Sequence, residues 1–268
     1  MKHSSYGIAP GERSRLAERD SRDLSNVPKR DTAEEQLHED AVQIGRLQER
    51  LFAEGERALL VVLQGTDTAG KDGTIRHVFY NTSPLGVSVK SFGKPSELEL
   101  AHDYLWRVHQ ACPRRGMIGL FNRSHYEDVL IVRVEGLAPK KDVEKRYDQI
   151  NEFERMLTQN GTAILKIMLH ISKEEQRERL QARLDRPHKR WKFNPADLEG
   201  RQKWDEYQSA YEIMLDRCST KWAPWHVVPS DAKWARNAIV ASMVRRALED
   251  MDPQPHQPDW DPTDFKII

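Results

Sequence analysis

The chain has 268 residues, and its 42 Lys+Arg balance its 42 Asp+Glu, so the formal charge is zero and a general nucleic-acid coat is not expected. At 38% hydrophobic residues it can bury a sizeable core, yet no apolar run approaches the roughly 20 residues of a membrane helix. Cys112 and Cys218 form neither a disulfide framework nor a metal motif, and the first 30 residues lack the apolar stretch of a secretory leader, so a reduced, cytoplasmic setting is expected.

Residues 1–30 are polar and punctuated by Gly7, Pro10, Gly11 and Pro28, which reads as a flexible arm, or one ordered only against a partner subunit. Asp31 then precedes a helical pattern through Leu37, Ile44, Leu47 and Leu51. The run Ala58–Leu63 stops at Gly65 and suits a strand buried on both faces. Four further strands are expected at Val87–Phe92, Met117–Phe121, Ala163–Ile171 and Trp225–Val228. Ser96 and Glu99 form a capping box for a helix through Leu98 and Val108. A second helix carries Val143, Tyr147, Ile150 and Leu157 and closes near Gly161. Ser172 with Glu175 starts another, and Asp231 is placed to cap the last, which carries Ile239, Met243 and Leu248. From Pro253 the tail is too rich in proline for a regular helix. Strands alternating with helices predict an α/β fold, a five-stranded parallel, doubly wound sheet with helices on both faces, over a single domain of residues 31–252.

Gly65-Thr66-Asp67-Thr68-Ala69-Gly70-Lys71 follows the first buried strand and opens a helix, the context in which G-x-x-x-x-G-K cradles phosphates. Gly65, Thr68, Ala69, Gly70, Gly73 and Thr74 are the candidate phosphate-binding positions. Their backbone N–H groups and the helix N-terminus converge on one anion, and Lys71 adds a full charge. Asp72 stands where Ser or Thr usually follows the lysine, and Asp67 lies in the loop itself. Two carboxylates there repel a phosphate unless a cation lies between, so Asp67 is expected to bind metal or to orient the acceptor, with the role of Asp72 open.

After the third strand comes Asn122-Arg123-Ser124-His125-Tyr126-Glu127-Asp128. Arg123 offers a bidentate fork for phosphate, and the acids that would lie near a metal are Glu127 and Asp128. Between residues 177 and 192 the chain concentrates Arg177, Arg179, Arg183, Arg186, Lys189, Arg190 and Lys192. This stretch is read as a cationic lid of about residues 173–205 that closes over a transferring phosphoryl group.

Gly65–Gly73, Asn122–Asp128 with its continuation to Val134, Arg183–Phe193 and Ala223-Pro224-Trp225 together resemble the polyphosphate kinase 2 family. Asn-Arg-Ser-His-Tyr-Glu-Asp-Val-Leu is most similar to its class III branch, and the likeness covers about residues 35–250. The resemblance implies a phosphate-loop kinase fold of the thymidylate-kinase-like type with a helical lid. It implies transfer of a phosphoryl group between inorganic polyphosphate and adenine nucleotides, AMP or ADP, with guanine nucleotides as a further option, in a cytoplasmic homo-oligomer. Mg²⁺ is the implied cofactor, with Mn²⁺ as a substitute. Asp67, Lys71, Arg123 and the lid residues Arg183 and Lys189 would be working residues, with Arg186 and Lys192 binding phosphate beside them. Arg107 would face the nucleotide phosphates. Glu127, in place of the Asn of other branches, is associated with accepting AMP. Asn122 replaces an Asp of those branches, which shifts the metal expectation to Asp67 and Asp128. Two other readings fit the phosphate loop: an ATP-dependent nucleoside-monophosphate kinase and a non-catalytic nucleotide-binding module.

Overall fold

A computed structural model describes residues 3–266; Met1 and Lys2 of the expected arm and Ile267 and Ile268 of the expected tail lie outside the described residues. Helix α1 (Arg30–Glu54) leads into strand β1 (Ala58–Gln64), and the loop after it opens α2 (Lys71–Val78). Strand β2 (Val87–Ser91) is followed by two short helices, α3 (Glu97–Leu100) and α4 (Trp106–Ala111), and then by β3 (Ile118–Asn122). A single turn, α5 (Ile131–Val134), and the long α6 (Lys140–Gln159) precede β4 (Thr162–His170). Helices α7 (Lys173–Asp185) and α8 (Ala196–Gln202) flank a 3-10 turn, Pro187–Lys192. Helix α9 (Trp204–Cys218) feeds β5 (Trp225–Pro229), and α10 (Lys233–Met251) follows.

All five strands run parallel in the order β2-β3-β1-β4-β5. Every residue of β1 is buried, and this is why its sequence is continuously apolar rather than alternating. Its side chains still alternate between two cores. Leu60 and Val62 pack with Tyr147, Ile150 and Met214 on the α6/α9 face, whereas Leu59, Val61 and Leu63 pack with Ile44, Leu51 and Val244 on the α1/α10 face. From central β1 the chain builds β3 and β2 on one side and β4 and β5 on the other. The crevice beyond the carboxyl end of β1 is therefore a topological switch point, the usual ligand position of an open α/β sheet.

Four local expectations are corrected. Helix α1 starts at Arg30 with no side-chain cap, so Asp31 lies in its first turn, favourably placed toward the helix dipole. The capping box at Ser96 and Glu99 forms, but its helix lasts only from Glu97 to Leu100. The Asp103 carboxylate accepts from the Leu105 N–H at 2.9 Å, an Asx turn that breaks the run before α4. Asp231 does not cap α10; its carboxylate accepts from the Ser172 N–H at 2.9 Å, the Ser172 hydroxyl at 2.8 Å and Arg22 Nε at 3.1 Å, and so holds Ser172, whose hydroxyl caps α7 by accepting from the Glu175 N–H at 3.1 Å. The amino-terminal arm is laid down on its own subunit. The Ile8 N–H donates to the Trp225 carbonyl and the Val227 N–H to the Tyr6 carbonyl, both at 2.9 Å, so the arm covers the free edge of β5. Tyr6, Ile8 and Leu16 are buried there, and α9 accepts from the Ser14 and Leu16 N–H groups through Asp216 and Glu212.

Candidate active site

Gly65 (φ 147°), Thr68 (φ 66°) and Gly70 (φ 108°) give the 65–71 loop its tight curl between β1 and α2. A side chain at Gly65 would meet the Leu169 carbonyl at 2.6 Å. Lys71 folds back across the loop, donating to the Gly65 carbonyl at 2.6 Å and the Thr66 carbonyl at 3.3 Å. Burial, with Arg123 nearby, lowers its pKa to about 8, against the pull of Asp67, Glu127 and Asp72. The hydroxyls of Thr66, Thr68 and Thr74 are buried without a hydrogen-bond partner, so the loop carries unmet polar groups as well as a cation.

β3 delivers Arg123 next to this loop, because β1 and β3 are hydrogen-bonded neighbours and the Arg123 N–H still donates to the Leu63 carbonyl. Arg123 has φ 61°, a left-handed conformation that is strained for a residue with a side chain. Its Nη2 lies 2.5 Å from Asp67 Oδ1 and its Nη1 3.7 Å from Glu127 Oε2. Burial works against its charge, but Glu127 and Asp67 outweigh that and raise its pKa. Burial also raises the Glu127 pKa, with Arg123 and Lys71 opposing. Asn122 Nδ2 donates to Asp72 Oδ1 at 2.7 Å, and Lys192 lies 3.7 Å from Asp72 Oδ2. Asp72 thus joins the phosphate-loop helix to the β3 end and to the lid.

The turn at His125–Asp128 rests on a fully buried polar cluster. Glu154 accepts from the Tyr126 hydroxyl at 2.7 Å and from Lys166 at 2.6 Å, with His125 Nε2 at 3.2 Å. Lys166 also donates to the Tyr126 hydroxyl and the Cys218 carbonyl, each at 2.7 Å. Sequence reasoning assigned none of these a role. A lone lysine inside the apolar run of β4 was the available signal, since a buried cation needs a built partner.

Asp128, expected as a metal ligand, sits beside two arginines. Its Oδ1 accepts from Arg146 at 3.2 Å, whereas its Oδ2 lies 3.8 Å from Arg107 and is buried with no hydrogen-bond partner, so one carboxylate oxygen is left unmet. Burial, opposed by Arg146 and Arg107, raises its pKa to about 6. Arg107 is buried, donates to the Gly93 carbonyl at 3.0 Å and lies 3.8 Å from Glu99. It belongs to this second group rather than to the Lys71–Arg123 group.

In the lid, Arg183 is turned inward as well. It donates to the Lys192 carbonyl at 3.0 Å and to Asp197 Oδ2 at 3.1 Å, so it braces α7 against the turn and α8. Arg186 is exposed and Lys189 half-buried, while Lys192 reaches Asp72. Gly73 and Thr74 lie in the first turn of α2, and Ala69 is buried under the loop.

This geometry is a tightly curled loop crossed by Lys71, with one strand-end arginine beside it and a basic segment reaching it through Lys192. The family model for polyphosphate kinase 2 matches residues 27–256. The chain belongs to the polyphosphate kinase 2 family. It is 56% identical over 217 residues, 81% of each chain, to the AMP/ADP-polyphosphate phosphotransferase of Meiothermus ruber. It is 44% identical over 229 residues to the ADP-polyphosphate phosphotransferase of Rhodopseudomonas palustris, covering 81% of this chain and 79% of that one. The crystal structure of polyphosphate kinase 2 from Arthrobacter aurescens superposes with a TM-score of 0.93 at 40% identity, over 97% of this chain and 93% of that one. As a polyphosphate kinase 2, the chain has the phosphate-loop kinase fold, and its likeness to the AMP/ADP-named relative places it with the class III branch. Among the described residues no helix is long and apolar enough to cross a membrane.

Proposed function

We propose that this polyphosphate kinase 2 transfers the terminal phosphoryl group of inorganic polyphosphate to AMP and ADP, reversibly and in line, at the junction of the 65–71 loop and the β3 end. The observation that carries the reading is the single group formed by Lys71, Arg123, Asp67 and Glu127 at the switch point of the sheet. A phosphate acceptor is already ionised near neutral pH, so the task is alignment and charge neutralisation rather than proton abstraction. Lys71 gives up its loop carbonyls to bind phosphate oxygens, and the Arg123 fork takes two oxygens at once. Glu127 holds Arg123 from one side and limits where a second anion can settle. Lys192, with Arg186 and Lys189 on the same segment, closes from above.

Mg²⁺, with Mn²⁺ as a substitute, fits the donor set. Among the described residues no cluster of three or more His, Cys, Asp or Glu is arranged to hold a metal. Mg²⁺ binds through one or two carboxylates while phosphates and water complete its shell. Asp67, partly exposed on the loop, would hold it, with the unpartnered Oδ2 of Asp128 as the second carboxylate oxygen on offer. When bound, the ion neutralises phosphate charge. The names of the M. ruber and R. palustris relatives support AMP and ADP as acceptors. The unpaired thiols of Cys112 and Cys218 suit a cytoplasmic enzyme, and the family resemblance favours a homo-oligomer.

The test is a matrix of donor against acceptor: polyphosphate or ATP with AMP, ADP or GDP. Formation of ADP and ATP from AMP with polyphosphate as sole donor supports the reading. Turnover only with ATP as donor makes the protein a nucleoside-monophosphate kinase. Nucleotide binding with no turnover makes it a binding module.

A further inference from the structure

Behind the phosphate loop lie two buried arginines that the proposed reaction does not use. Arg236, on α10, donates through Nη1 to the Ala69 carbonyl at 3.1 Å and holds Asn237 Oδ1 at 2.8 Å. Arg179, on α7, donates to the Thr68 carbonyl at 2.9 Å and the Ala69 carbonyl at 3.1 Å with one nitrogen, and to the Ser230 and Asp231 carbonyls with another. One turn earlier, Gln176 donates to the Asp67 carbonyl at 3.3 Å. The carbonyls of three successive loop residues are thus held from behind by side chains of two different helices. A guanidinium is packed so closely under the loop that a side chain at Gly70 would meet Arg236 Nη1 at 1.9 Å. The second glycine of the motif therefore makes room for a cation as well as for a turn.

The charge balance of this pair is unusual. Arg179 has Glu175 at 2.7 Å, but among the described residues no carboxylate lies within ion-pair distance of Arg236. Arg236 is only 3% exposed, and its pKa is lowered by burial and by Arg179 to about 9, leaving it charged at neutral pH. A buried cation without a counterion is costly unless something else balances it. The loop it supports is where an anion is expected to bind.

We propose that Arg236 and Arg179, with Gln176, are positioning residues for phosphate binding: they fix the peptide planes of Asp67–Ala69, and Arg236 holds uncompensated positive charge beneath the cup, to be balanced by the bound polyanion. The proposal rests on the reading that the 65–71 loop holds phosphate. It explains why the base of the lid helix and the last helix both converge on the loop backbone. Groups that orient the ligands of a metal are typically worth about 10- to 100-fold in affinity, and an effect of that order is expected of these supports.

The experiment measures the dissociation constant for inorganic tripolyphosphate with Mg²⁺ by calorimetry, and the rise in melting temperature that saturating tripolyphosphate causes. The proteins are the native enzyme, Arg236→Met, Arg236→Lys and Lys71→Ala. The proposal expects Arg236→Met to bind at least tenfold more weakly and to lose more than half of the ligand-induced rise, with the ligand-free melting temperature equal to or above the native one. Arg236→Lys, which keeps the charge, should recover part of the binding. A purely structural Arg236 would instead lower the ligand-free melting temperature and leave the rise intact, and that result overturns the proposal. Should Arg236→Met fail to fold, native-like binding by Arg236→Lys overturns it and weakening of at least threefold supports it. If Lys71→Ala binds tripolyphosphate as the native enzyme does, the phosphate-loop reading itself fails. If only Lys71→Ala is impaired, that reading stands and the inference about Arg236 falls.

Discussion

Arg123 Nη2 and Asp67 Oδ1 stand 2.5 Å apart, joining the end of β3 to the middle of the phosphate loop. The pair is partly exposed, so its own contribution to stability is small. Its consequence is positional: Asp67 presets a guanidinium fork at the mouth of the cup before phosphate arrives. Lysine at 123 keeps the charge but loses the planar fork. Arg123→Lys is expected to lower kcat/KM by about 10²–10³-fold, the usual effect of removing an oriented transition-state donor. Steady-state kinetics check this, and a loss below threefold removes the fork from the mechanism.

Glu127 faces the same arginine at 3.7 Å, and burial raises its carboxyl pKa. The class III resemblance links this position to acceptor choice. Replacing it by the Asn of other branches should depress AMP turnover at least tenfold more than ADP turnover. Initial rates on the two acceptors decide it, and equal losses take Glu127 out of acceptor selection.

Lys71 provides a pH signature. Its pKa is about 8 in the unliganded enzyme because of burial and Arg123. A bound phosphate favours the charged amine, so the pKa rises on binding. Affinity is then full below about pH 8 and falls as pH rises through that value, with a proton taken up on binding near pH 8. Calorimetry of tripolyphosphate binding in buffers of different ionisation enthalpy measures that proton directly. Proton release, or none at all, contradicts the assignment.

Much of this was legible in the residues. The apolar runs of β1, β3 and β4 marked buried strands because a sheet covered on both faces selects continuous apolar sequence, whereas edge strand β2, Val87-Ser88-Val89-Lys90-Ser91, is exposed and carries a weaker signal. The glycine spacing of 65–70 marked the loop because its backbone angles demand it. What stayed hidden depended on pairing across the fold. Nothing local shows that Asp128 lies beside Arg107 and Arg146. Arg183 and Arg179 lie four residues apart in one basic segment, yet one braces the lid and the other the phosphate loop. The arm was misread because its order comes from the unpaired edge of β5, more than 200 residues away in sequence.

The Glu154–Lys166 pair carries a stability prediction. Both side chains are fully buried, and although burial raises the Glu154 pKa, Lys166 and His125 outweigh it and leave it lowered. A lowered carboxyl pKa stabilises the fold above the unfolded-state value and loses that contribution as pH falls. Lys166→Met strands the carboxylate and should cost about 3–5 kcal/mol near neutral pH. The deficit should shrink in acid, where Glu154 can protonate. Urea unfolding at pH 7 and pH 4.5 reads both effects, and a deficit that grows toward acid refutes this account of the cluster.

The most direct test is a crystal structure of the enzyme with a non-hydrolysable oligophosphate and Mg²⁺. The expected result is a phosphate group seated on the 65–71 backbone, with Lys71 released from the Gly65 carbonyl and Arg123 on the adjoining phosphate. An oligophosphate bound elsewhere, with Lys71 still donating to Gly65, would contradict the account.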